Sequence, residues 1–128
     1  METVPGYHYD EENDILYITF GPGEKGTGVE LNSNILLRLD RNKEKALGLT
    51  FFDFSILTQK TDFGPRGFPL TGLAEIPEDL RDIVIRVITT PPVSQFLRVM
   101  TYSPTLSESI PITYVERIST STFSDHTL

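Results

Sequence analysis

Cysteine is absent from the 128-residue chain, and so is tryptophan. Without thiols there is no disulfide framework, no cysteine nucleophile and no thiolate metal site. Histidine is reduced to His8 and His126, too few to assemble a zinc site without cysteine. Long apolar runs are missing as well: none approaches the ~18 residues needed to span a bilayer. The opening residues METVPGYHYDEEND hold neither Lys nor Arg nor an apolar core, which argues against a secretory leader and makes the cytosol the expected address. Bases are scarce. Eleven Lys and Arg stand against 18 Asp and Glu, for a net charge of −7. Residues 1–30 hold seven acids (Glu2, Asp10, Glu11, Glu12, Asp14, Glu24 and Glu30) against Lys25 alone, so almost all of the imbalance sits there. Such a region repels polyphosphate, which argues against nucleic-acid binding, and attracts a cation or a basic protein. Its simplest role is a solvated, solubilising loop.

What is present suits one domain. A 14.4 kDa chain that is 38% hydrophobic, with mean hydropathy −0.14, can bury roughly two thirds of its unfolded surface. The first element reads as a β-hairpin: Tyr7-His8-Tyr9, an acidic turn over 10–14, then Ile15 to Phe20. Leu16, Ile18 and Phe20 share one face. Ile15, Tyr17 and Thr19 share the other, which is also partly apolar. The Gly/Pro-rich stretch 21–28 breaks regular structure, and strands are expected around 29–31, over 35–39 and over 46–54. Gly48 marks a bulge or a close neighbour. The hairpins around Asp10–Asp14 and Asp40–Lys45 look alike, with one additional loop residue in the second; shared turn chemistry accounts for this without a duplication. Residues 58–76 form a Gly/Pro-rich loop, long for a connector, that either lids a pocket or crosses to a partner subunit. Pro77, Glu78 and Asp79 then suit a helix start, and Leu80, Ile83, Val84, Val87 and Ile88 recur at helical spacing up to Pro91-Pro92. The β-branched run 83–88 would also suit a strand; the spacing favours a helix over about 77–89. A C-terminal hairpin over 96–118 follows. Pro111 predicts an edge position there. The polar segment 119–128 reads as a flexible tail.

Three motifs fail on their mechanics. Gly21, Gly23 and Gly26 match G-x-G-x-x-G after a strand, but no helix start follows to hold a pyrophosphate. Asp10, Glu12 and Asp14 open like a calcium loop, yet Ile15 stands where glycine is needed and Gly21 where glutamate is needed. His8 near Asp10 and Glu12 has a carboxylate to orient it, but its strand position places it on the surface. Nothing selects a catalytic pair, so no enzyme activity is assigned.

Residues 7–57 resemble the bacterial domain-of-unknown-function family 2283. The likeness rests on Tyr9-Asp10, Asp14 with Leu16-Tyr17-Ile18, the Ile35-to-Asp40 strand and turn, and Gly48-Leu49 through Asp53. The resemblance implies a small antiparallel sheet and supplies no catalytic residues.

The sequence therefore predicts a single α+β domain over 1–118: an antiparallel meander of about six strands with one main helix packed on it. Apolar residues on both faces of 15–20 and 51–54 predict a homodimer or larger assembly, two-fold pairing being the commonest way to cover a second face. The expected function is a homo-oligomeric protein-interaction module, with no metal and no cofactor. Asp10, Glu12 and Asp14 are the candidate contacts for a basic partner. Phe63, Arg66 and Phe68 are the candidates in the loop, since aromatic residues and Arg dominate interface hot spots; the two Phe side chains could equally anchor the loop to the core. The alternative is a small-molecule-binding domain or enzyme with its pocket under the 58–75 loop.

Overall fold

The fold was obtained as a computed structural model, which describes residues 6–21, 26–61, 64–65, 67–105 and 108–115. Five strands open the chain: β1 (Gly6–Asp10), β2 (Ile15–Thr19), β3 (Thr27–Asn32), β4 (Ile35–Asp40) and β5 (Lys45–Phe52). They form one antiparallel sheet in the order β1-β2-β5-β4-β3. This differs from the expected meander. After β2 the chain crosses to the far edge, then returns through β3 and β4 so that β5 pairs with β2, a Greek-key order. The Gly/Pro-rich stretch of sequence after Phe20 separates β2 from β3. In place of a sixth meander strand, the chain builds a second sheet.

Local chemistry fixes both hairpins in the same way. Asp10 accepts a hydrogen bond from the Asn13 amide, and Asp40 accepts from the amides of Asn42 and Lys43. Each turn closes on a left-handed residue, Asp14 at φ 56° and Glu44 at φ 51°. Asp10 then pairs with Ile15, and Asp40 with Lys45. The two turns are thus equal in length. The additional residue seen in the sequence is a bulge in β5: Arg38 faces Gly48 but Leu39 faces Ala46.

Beyond β5, Asp53 adopts a left-handed conformation (φ 57°) and swings the chain into a single helical turn, α1 (Phe54–Leu57), burying Phe54 and Leu57. Phe54 therefore belongs to the core. The expected long loop is mostly structured. It contains β6 (Lys60–Thr61) paired with β7 (Gly64–Pro65), then β8 (Phe68–Pro69) and a 3₁₀ turn over Thr71–Glu75. β8 pairs with a strand more than 40 residues later, a partner invisible to local pattern.

The helix α2 (Glu78–Ile88) forms as the spacing predicts, burying Leu80, Val84, Val87 and Ile88. The strands β9 (Leu97–Thr105) and β10 (Glu108–Val115) complete a three-stranded sheet, ordered β8-β10-β9. β10 is its central strand, contrary to the expectation from Pro111. The reason is geometric. The Pro111 carbonyl accepts from the Leu70 amide on the β8 side. In an antiparallel strand a residue's N and C=O point the same way, so the missing N–H faces β8 and costs no bond to β9.

The core lies on one face of the five-stranded sheet. Leu16, Ile18, Leu37, Leu49 and Phe51 meet α2 and the second sheet, with Tyr7 and Phe20 packing on Phe96. The 3₁₀ turn presses on β3: a Cβ on Gly72 would collide with the Glu30 carbonyl oxygen. Arg81 ties α2 to this turn, donating from Nε to the Leu73 carbonyl at 2.6 Å and from Nη2 to the Ile76 carbonyl at 3.0 Å.

Candidate functional site

Two surfaces carry candidate contacts: the acidic turn, with Asp10, Glu12 and Asp14, and the sheet face opposite the core, with Ile15, Tyr17 and Phe52.

At the acidic turn, two of the three candidate carboxylates are engaged within the fold. Asp10 binds the side chain and amide of Asn13, and these bonds hold its carboxyl below the usual range. Asp14 lies at the centre of a latch. Its carboxylate accepts from the Tyr9 hydroxyl at 2.6 Å, and from the Ser55 hydroxyl at 2.6 Å and amide at 3.0 Å. Partial burial works to raise the Asp14 pKa, yet the Ser55 and Tyr9 bonds outweigh it and lower the value. The same contact, reinforced by burial and the nearby acidic charges, pushes the Tyr9 hydroxyl up to about 12. The latch pins α1 to the first hairpin, aided by the Phe54 amide donating to the Asp14 carbonyl. Asn34 joins it from the other side, bonding the Phe52 carbonyl and Asp53. Glu12, with its neighbour Glu11, is exposed and carries the outward charge of the turn. The role of Ser55 in this latch was missed in the sequence, because its partner is 41 residues away.

Among the loop candidates, Phe63 and Arg66 lie outside the described residues. Phe68 is half-buried in β8 and packs against the core. A cleft of about 620 Å³ opens elsewhere, where the start of β3 meets the β4–β5 turn and α2, lined by Gly26, Thr27, Leu39, Asp40, Arg41 and Ile83. None of those residues comes from 58–75. At Thr27 a strand begins, where a dinucleotide fingerprint needs a helix. No cluster of three or more His, Cys, Asp or Glu able to hold a metal ion occurs among the described residues.

The outer face of the five-stranded sheet is built by alternation. With Leu16, Ile18, Leu49 and Phe51 turned inward, Ile15, Tyr17, Thr50 and Phe52 turn outward. Register arranges the face in three rows. The first runs Asp10, Ile15, Phe52 and Asn34. The second runs His8, Tyr17, Thr50, Leu36 and Glu30. The third runs Gly6, Thr19, Gly48, Arg38 and Gly28. Tyr17 is 40% exposed and Phe52 37%, and His8 stacks on Tyr17 with ring centroids 5.9 Å apart. Ile56 on α1, Ile85 on α2 and Met100 on β9 are also exposed among the described residues.

Residues 7–55 match the family described as "Protein of unknown function (DUF2283)". No curated protein and no solved structure matches the chain. The matched segment covers the five-stranded sheet and the start of α1. The residues that carry the likeness have structural work here. Tyr9 and Asp14 form the latch, Asp10 and Asp40 close turns, and Asp53 redirects the chain into α1. At Gly48, a Cβ would stand 2.9 Å from the Ile18 carbonyl oxygen. No helix among the described residues is long and apolar enough to cross a membrane.

Proposed function

We propose that this chain is a homo-oligomeric protein-interaction module, with the outer face of the five-stranded sheet as its association surface. One observation carries the reading: Tyr17 and Phe52, two large aromatic side chains, stand exposed on the side away from α2, with Ile15 beside both and Leu36 next to Phe52 on β4. Scattered exposed apolar residues are ordinary, whereas a contiguous aromatic and aliphatic patch marks a contact surface. The acidic turn offers a second contact, for a basic protein, in which Asp10, Glu12 and Asp14 supply charge and Glu12 reaches outward. Sedimentation velocity from micromolar to millimolar concentration tests the reading. A concentration-dependent shift to dimer supports it, and a 14.4 kDa species throughout overturns it.

A further inference from the structure

Resting on that reading, the geometry points to one mode of self-association: a second copy packs face to face on the outer sheet about a two-fold axis perpendicular to the strands, passing beside Thr50. The face is a wedge. Its first row is thick, with Ile15 and Phe52. Its third row is thin, with Gly6, Gly48 and Gly28 at three of its five positions. An isologous contact places each row on its own copy or on its mirror, depending on the axis. An axis along the strands would set thick on thick and leave the glycine row gaping. The perpendicular axis sets thick on thin. Phe52 then enters the partner's hollow over Gly48, flanked by Thr19 and Arg38, and the ring meets a guanidinium, a favourable pairing.

Charge fits the same axis. Arg38 on the thin row arrives over Asn34 on the partner's thick row, where Asn34 holds the carboxylate of Asp53 at 3.2 Å. Each copy thus contributes one Arg38 and one Asp53, giving two symmetric opposite-charge contacts. Tyr17 and Thr50, in the middle row, meet their own copies. Glu30 and His8, which also meet their own copies, stand at the two edges, where solvent screens like charges.

Area is sufficient, though modest. Five strands ~4.8 Å apart and five residues ~3.3 Å apart span ~24 Å by ~17 Å, or ~400 Å² on each copy. With side-chain relief, the two faces together reach about the ~1,000 Å² that a specific interface needs. The dimer should therefore dissociate on dilution.

Single-cysteine variants test this cleanly in a chain without cysteine. A short bis-maleimide, matched to the ~10 Å separation of packed sheets, links residues that face their own copies. Thr50→Cys and the exposed Tyr17→Cys should each give covalent dimer at least tenfold above Asp82→Cys on the far side of α2. Thr19→Cys, a small change in the third row, should stay near that control, because its copy lies about two rows away. Arg38→Glu should weaken the dimer at least tenfold with an unchanged circular dichroism spectrum. If sedimentation shows only monomer, both this mode and the self-association reading fall. If the wild type dimerises but neither Thr50→Cys nor Tyr17→Cys exceeds the control, this face is not the interface and the reading of an oligomer survives. If Thr19→Cys links as well as Tyr17→Cys, the axis runs along the strands and the arrangement is overturned.

Discussion

Replacing Tyr9 with phenylalanine removes one atom from the latch and leaves the ring packed edge-on against Phe54. The lost contact is a 2.6 Å hydrogen bond to an ionised carboxylate, the class worth about 1.5–3 kcal/mol. Asp14 keeps both Ser55 donors, and the site is partly hydrated, so we expect Tyr9→Phe to cost about 1–2 kcal/mol at pH 7. The pH dependence is the sharper signature. In the folded chain Tyr9 holds its proton up to about 12, against 10.0 for an ordinary tyrosine. The folded state therefore binds more protons than the unfolded state between those values. Its stabilisation is complete below pH 10 and is lost as pH rises towards 12. Urea denaturation of wild type and Tyr9→Phe between pH 6 and 12 measures this directly. The stability difference should hold steady to about pH 9.5, then fall to zero or below by pH 12. A difference that stays constant across the alkaline range would refute the latch, since every other tyrosine is common to both chains.

Three further outcomes are expected. Acidification should destabilise the fold as Asp14 is protonated: its folded pKa is lowered, so its contribution is present above the ordinary carboxylate range and disappears as pH falls through the lower folded value, and Asp14→Asn should flatten the acid limb of a stability profile. Gly72→Ala should be among the most damaging substitutions, costing about 3 kcal/mol or more, because the added methyl meets the rigid β3 backbone and cannot be accommodated by a side-chain shift; chemical denaturation or loss of soluble folded protein would show it. Arg81→Met should cost about 2–4 kcal/mol by leaving the Leu73 and Ile76 carbonyls without their charged donor while keeping the apolar stem, and hydrogen exchange should rise first in the 3₁₀ turn.

Local signals are legible where one element contains its own explanation. Leu80, Val84, Val87 and Ile88 announce α2 because a helix repeats within four residues, and they are the residues it buries. The strand alternation of Ile15 to Phe20 and Ile35 to Leu39 likewise separates inner from outer positions. The acidic turn was legible as charge, whereas its use was not. Asp14 looks like a surface acid until Ser55 comes to it from the end of the neighbouring strand β5. Pro111 misled for a related reason: its rule concerns a missing donor, and only the neighbour decides whether a donor was needed there.

The chain's own order of residues thus settled what each short segment prefers: its turns, its pleat, its one amphipathic helix, its acidity and its lack of thiol chemistry. Those preferences arise from sterics, hydrogen-bonding reach and side-chain polarity within a few bonds. Tertiary structure alone decided the strand order β1-β2-β5-β4-β3, the pairing of β8 with β10, the carboxylate latch and the graded thickness of the outer sheet face. Each of these depends on groups tens of residues apart meeting at a few ångströms, and the free energy of such a meeting belongs to the packed whole.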